Sequence, residues 1–349
     1  MDVTKNQHNF TVEEITLVSN TLAKFPTNSQ VAVARIVDAN ADFCGARKAD
    51  KKVEMIDNRY AVFDIGSIAK TFTTAMLANQ VVEQTLSFDD EISQILGFLL
   101  KTNAKITLKQ LANHTSGLPR IPSDLFWELL FKDKSNPYAN YDQSRLQNYL
   151  QHKLKLNKQG KFAYSNLGVG LLSHVLTQIN NQSYETLLQR IICQPLGLQQ
   201  ITTLRTNVSK HLVQGQNTKG NPVPYWDLGA LLGAGGIYSS VLDLAKYIIH
   251  NINDVSPEFA LQRRETAKVN KQIAIGLGWF IAQKEKGSKT LYFHDGGTSG
   301  FTSIAFMNVE SRCGIVILSN ISGNHILKAG HLPKLAQHLY KNIGIDEPS

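Results

Sequence analysis

The chain of 349 residues carries only three cysteines, Cys44, Cys193 and Cys313, and they are far apart. They set up neither a disulfide framework nor a metal-ligand spacing, and read as buried, inert thiols. None of the ten histidines stands in an H-E-x-x-H pattern or another zinc-ligand cluster, so neither a metal nor a cofactor is expected. A run of 18 apolar residues is also missing, which leaves no candidate transmembrane helix. The opening stretch MDVTKNQHNFTVEEITLVSN lacks the basic flank and apolar core of a secretory signal. The expected location as written is therefore the cytoplasm, and the periplasm or the exterior only if a leader has been removed. Internal repeats, low-complexity segments and Gly/Ser linkers are absent as well.

Charge is sparse, 18% of residues against 42% hydrophobic, the balance of an ordinary globular protein. Lys and Arg number 36 and Asp and Glu 28, a net +8, scattered along the chain. The densest basic run, HKLKLNKQGK at 152–161, has no interleaved aromatic residues and reads as solvated surface, not as a nucleic-acid groove. The charge supports a mild attraction for anionic surfaces or substrates and no nucleic-acid partner. The oligomeric state is not readable from it.

What the chain does contain is a change of texture along its length. Helical spacing over 11–25 gives way to the strand-like VAVARIV at 31–37, with 41–47 as its hairpin partner. From Ser67 to about Lys268 the pattern is mostly helical, punctuated by Gly, Pro and Asn, with Thr107 and Gln110 spaced as a capping box. Four strands then follow, IAIGLGWFIAQKE, KTLYFHDGG, FTSIAFMNVE and CGIVILSN, before a last helix over about Ile326 to Lys341. The expected fold class is α/β: an antiparallel sheet flanked by N- and C-terminal helices, with an inserted, mainly helical lobe. Residues 1–66 and 270–349 are assigned to the sheet lobe and 67–269 to the helical lobe, with a ligand site in the cleft between them.

Ser67 and Lys70 lie at that junction, in FDIGSIAKTFTTAMLANQ. One reading is a helix start, with Ser67 as cap, Ile68, Phe72, Ala75 and Met76 toward a core, and Lys70 toward solvent. The other is a nucleophile and its base, since a serine hydroxyl attacks well only when a neighbouring group takes its proton. S-x-x-K occurs once in the chain; Y-x-N occurs three times, at Tyr138–Asn140, Tyr164–Asn166 and Tyr340–Asn342. The first sits in a polar, Pro-containing loop and the last ends a helix, whereas Tyr164 lies in a turn leading into an apolar helix. His294–Asp295–Gly296 ends a predicted strand, where turn chemistry would account for it equally well.

Taken in order, S-x-x-K, Y-x-N and H-x-G resemble the penicillin-recognising serine hydrolases. The resemblance is greatest to the branch holding class C β-lactamases, D-alanyl-D-alanine carboxypeptidases, D-aminopeptidases and β-lactamase-like esterases. It runs over about residues 30 to 320 and is strengthened by ITLKQLANHTSGLP (106–119), FAYSNLGVGLLSHVL (162–176), PLGL (195–198), GAGGIYSSVLDLAKY (233–247) and GLGW (276–279). The resemblance implies a metal-independent serine hydrolase that forms an acyl-enzyme on Ser67. Lys70 would take a proton, its pKa lowered by burial and the helix end, and Tyr164 would be a second proton-transfer group provided that cationic neighbours lower its pKa. Asn166 would hold a substrate amide and orient Lys70, and His294 would stand where class C β-lactamases carry lysine, polarising the cleft. Gly296 and Gly297 would border the substrate, with the backbone N–H groups of Ser67 and Gly297 as the oxyanion hole. Asp295 departs from the family, which usually has Thr or Ser there. Turned away by strand alternation it is harmless; at the edge of the site it would repel carboxylates. The implied substrates are β-lactams or D-amino-acid peptides, with a carboxylesterase or D-aminopeptidase as the alternative. A non-catalytic penicillin-binding sensor or scaffold is the alternative of a different class.

Overall fold

The structure is a computed structural model that describes residues 9–126, 136, 138–253, 256–282, 289–323 and 330–343. Its centre is a nine-stranded antiparallel sheet in the order β3-β2-β1-β11-β10-β9-β8-β7-β6. Strands β1 (Gln30–Val37), β2 (Asn40–Ala49) and β3 (Lys52–Ile56) come from the first part of the chain. Strands β6 (Ala267–Lys268), β7 (Ile273–Ile275), β8 (Phe280–Ala282), β9 (Leu291–Gly297), β10 (Thr302–Asn308) and β11 (Cys313–Ser319) come from the last. The two parts meet where β1 pairs antiparallel with β11, Val31 opposite Ser319 and Ile36 opposite Gly314. The hairpin of β1 and β2 turns through Asp38 and Ala39, both at positive φ (48° and 59°), the backbone a two-residue turn of matching twist requires.

Period-two alternation gives β1 two buried faces. Val31 and Val33 enter a core shared with α1 (Val12–Leu22), whose Thr11 and Glu14 form a capping box, and with the C-terminal helix (His331–Lys341). Ala32, Ala34 and Ile36 face the main core, and the helix Val241–Asn253 packs on this side of β1, β10 and β11. Small residues at 32 and 34 leave room for that helix. Between the two contributions to the sheet, most of the regular structure among the described residues is helical, including α2 (Ala69–Val82), α3 (Leu108–Ala112) and α4 (Asn166–Asn180). Thr107 and Gln110 form the capping box read from the sequence. A separate two-stranded sheet joins β4 (Val62–Asp64) to β5 (Tyr238–Ser240) just before Ser67. Cys44, Cys193 and Cys313 are buried and unbridged.

The segment read as one strand, IAIGLGWFIAQKE, is instead the hairpin of β7 and β8. Gly278 sits at φ +76°, where a side chain would be strained, and Gly276 N–H donates to Trp279 O across the turn. The far end of that predicted strand, past Ala282, lies outside the described residues, as does the start of the last helix at Ile326. Among the described residues no helix is long and apolar enough to cross a membrane.

Candidate active site

Helix α2 is buried almost all round, with Lys70 the one charged residue among its buried side chains. A helix so placed must satisfy its polar groups internally. Thr71 donates to Ile68 O, Thr73 to Gly233 O and Thr74 to Leu277 O. Lys70 does not reach solvent: it is 0% exposed, its Nζ lies 2.9 Å from Ser67 Oγ, and it donates to Ala234 O at 2.5 Å. Burial pushes its pKa well down, the Arg120 guanidinium pushes the same way, and the carboxylate of Asp295 opposes both. An amine held below its usual range next to a serine hydroxyl is a proton acceptor.

Ser67 follows a short, tied-down loop. Ile65 N–H donates to Ile237 O, Ser303 Oγ to Ile65 O, and Gly66 N–H to Asp64 Oδ1. Gly66 is left-handed (φ +49°), and a Cβ there would stand 2.8 Å from Gly297 N. A Cβ on Gly296 would stand 2.9 Å from Ser67 N. The missing side chains at 66 and 296 thus let the Ser67 turn lie directly against β9. Thr298 N–H donates to Phe301 O, so the antiparallel alternation turns the Gly297 N–H away from β10. Strand β8 pairs with β9 only as far as Phe293, so residues 294–297 have no strand on that side among the described residues.

Tyr164 precedes α4, whose N-cap Ser165 accepts from Gly168 N–H. Lys70 Nζ lies 5.0 Å from the Tyr164 ring centroid, and Ser67 is near enough to pull the phenol's pKa down. The Arg120 guanidinium stands over the same ring at 5.2 Å, and the His114 ring lies 4.6 Å from it. Here the expectation of a lowered pKa is corrected. Desolvation outweighs the pull of Ser67 and the cation, and holds the phenol above its usual range, so Tyr164 is a neutral hydroxyl.

His294 is buried and also neutral. Burial lowers its pKa to about 4, against the pull of Asp295. Its Nδ1 lies 2.7 Å from Asp295 O, which can only accept, so the proton is on Nδ1 and Nε2 keeps its lone pair without a partner. The ring therefore adds no positive charge to the site. Asp295 is exposed and lies on the other face of β9, opposite Ile304, while His294 lies opposite Ala305. Asn166 does not bond Lys70: its Nδ2 is 3.5 Å from Tyr138 OH and its Oδ1 is buried without a partner.

Sequence reasoning missed three neighbours, Tyr138, His114 and Arg120. Tyr138 was set aside as part of a polar loop, yet it is buried against Asn166 and Trp226. His114, at φ +60°, accepts from Ser165 N–H through Nδ1 and so fixes the turn that carries Tyr164. The stretch ANHTSGLPR holds both His114 and Arg120; a buried-type residue in a glycine turn was the available signal. Among the described residues no group of three or more His, Cys, Asp and Glu side chains could hold a metal.

The family model described as Beta-lactamase matches residues 39–338. Protein flp of Staphylococcus aureus (strain N315) is 28% identical over 314 residues, 86% of this chain and 59% of that protein. Beta-lactamase-like protein 2 of Dictyostelium discoideum is 30% identical over 205 residues, 56% of this chain and 36% of the other. The chain thus spans about three-fifths of the first relative and about a third of the second. Among solved structures, the octameric penicillin-binding protein homologue from Pyrococcus abyssi superposes with a TM-score of 0.75 at 23% identity, covering 93% of this chain and 77% of that one.

Proposed function

Because the chain belongs to the β-lactamase family, we propose that it is a serine hydrolase working through an acyl-enzyme on Ser67. The observation that carries the reading is the Lys70 amine, fully buried 2.9 Å from Ser67 Oγ with its pKa held down. Lys70 takes the Ser67 proton as Oγ attacks the substrate carbonyl. The oxyanion that forms sits between the backbone N–H groups of Ser67 and Gly297, donors of a kind worth about 3–4 kcal/mol each in the transition state. As the bond to the leaving group breaks, the proton on Lys70 passes to that group, with the neutral Tyr164 hydroxyl as the bridge between them. Water then attacks the ester on Ser67 with the proton transfers reversed. Asn166 and the open edge of β9 hold the substrate chain, and His294 Nε2 accepts a hydrogen bond from it.

β-Lactams or D-amino-acid peptides are the leading substrates, as the penicillin-binding homologue's similar fold suggests. A D-aminopeptidase or esterase role is favoured by one observation. Although Asp295 points to the other face of β9 from His294, its carboxylate still acts on Lys70, and a negative charge there suits a substrate amine better than a carboxylate. The test is intact-mass spectrometry after exposure to a penicillin, a D-Ala-D-Ala peptide and a p-nitrophenyl ester. A stable mass increase or turnover with one of them ranks the substrates. No adduct and no turnover with any of the three would favour a non-catalytic sensor or scaffold.

A further inference from the structure

Most arginines with carboxylates nearby use them: Arg35 pairs with Glu14, Arg47 with Glu54, Arg59 with Asp57 and Arg205 with Asp227. Arg120 does not. Among the described residues no carboxylate lies within ion-pair reach of it, and its side chain is exposed. Its backbone is nonetheless fixed, because Arg120 O accepts from Asn166 N–H at 2.9 Å and from Leu167 N–H at 3.2 Å, at the start of α4. The guanidinium is set over the Tyr164 ring at 5.2 Å, and Lys70 Nζ, 2.9 Å from Ser67 Oγ, lies 5.0 Å from the centroid of that ring. A planar, always-charged fork is thus set beside the nucleophile from a fixed backbone, on an exposed residue with no ion-pair partner among the described residues. Strand β9 carries Asp295, whose carboxylate acts on Lys70 with the opposite sign to Arg120.

We propose that Arg120 is the substrate-recognition residue for a carboxylate on the substrate, which it binds alongside the Tyr164 ring. The inference rests on the reading of Ser67 as the acylated residue. The positive charge of Arg120 and the negative charge of Asp295, both felt at Lys70, favour an orientation with the substrate's anion at Arg120 and away from Asp295. A charge-assisted contact of this kind, partly open to water, should give about a tenfold preference for the anionic substrate.

The experiment uses p-nitrophenyl half-esters of succinic, glutaric and adipic acid, each compared with its methyl-capped, neutral counterpart. The readout is the ratio of kcat/KM for the anionic to the neutral ester, after correction for spontaneous hydrolysis. The wild type should show a ratio of about ten or more at one chain length, falling in 0.5 M salt. In Arg120→Gln, which keeps a stem over the Tyr164 ring, and in Arg120→Ala the ratio should fall to about one, while Arg120→Lys keeps part of it. Two variants guard against loss of folding in one. A wild-type ratio near one at every length, or a ratio unchanged in both Arg120→Gln and Arg120→Ala, overturns the proposal. Absence of turnover and of a Ser67 adduct with every ester, neutral ones included, would instead overturn the acyl-enzyme reading, and the proposal with it.

Discussion

A methyl group on Gly296 would stand 2.9 Å from the backbone nitrogen of Ser67, so β9 and the Ser67 turn are in contact without any side chain between them. Gly66 makes the reciprocal approach to Gly297 N, at 2.8 Å. Either glycine, given a Cβ, must push the two N–H groups apart. Gly296→Ala should therefore slow acylation by about 100-fold or more, the scale for losing an oxyanion donor. Gly330→Ala, with nothing within 4 Å of its Cβ, should leave the rate alone. Single-turnover rates on a p-nitrophenyl ester, beside melting curves for both variants, check this.

The pH dependence carries a sign that two opposite charges set. Acylation needs Lys70 as the free amine, so kcat/KM should fall as pH drops through the Lys70 pKa. Arg120 pushes that pKa down and Asp295 pulls it up. With a neutral ester, Arg120→Gln should move the acid limb to higher pH and Asp295→Asn should move it to lower pH. Limbs that shift in the same direction, or stay put, would contradict the electrostatic reading of Lys70.

Asp64 offers a stability test away from the chemistry. Burial raises its carboxyl to about 7 from 3.8, against the Gly66 N–H and Arg205. The folded state then holds a proton that the unfolded chain releases, so this group's contribution falls as pH rises from about 4 to 7 and stays lost above that. Asp64→Asn keeps an acceptor for Gly66 N–H and removes the ionisation. It should match the wild type at pH 4 and be the more stable protein at pH 8, by on the order of a few kcal/mol. The titration of His294 is common to both proteins and cancels. Denaturant midpoints at the two pH values decide it.

The three Y-x-N tyrosines should separate into three classes. Tyr164→Phe should slow acylation by about 100-fold or more, as expected for a proton-transfer group. Tyr138→Phe leaves Asn166 Nδ2 without its contact and should cost about two- to tenfold, the worth of one hydrogen bond. Tyr340→Phe, on the far face of the sheet beside Cys313, should change nothing in the rate.

Several of these assignments were legible in the sequence because their signals are local. Val31 to Val37 alternate, Thr107 and Gln110 are three apart, and Ser67 with Lys70 is the sole S-x-x-K. What escaped depends on tertiary placement. Whether Lys70 points to solvent or core is undecided by helical spacing, because α2 is buried almost all round. The strands β4, β5, β7 and β8 are three residues each, too short for a period to register. Tyr138 and Arg120 join the site only because their loops fold back onto the start of α4, and a loop's destination has no periodic signature. The proton state of Tyr164 was misjudged for the same reason: cationic neighbours were foreseeable, the depth of its desolvation was not.

Labelling by a fluorophosphonate, with peptide mapping, decides whether Ser67 is the nucleophile and Lys70 its base. The wild type should carry the label on the peptide containing Ser67. Ser67→Ala should remain folded and unlabelled, and Lys70→Ala should label about 100-fold more slowly or worse. Label that persists on another serine in Ser67→Ala, or a Lys70→Ala protein that labels at the wild-type rate, would contradict the account.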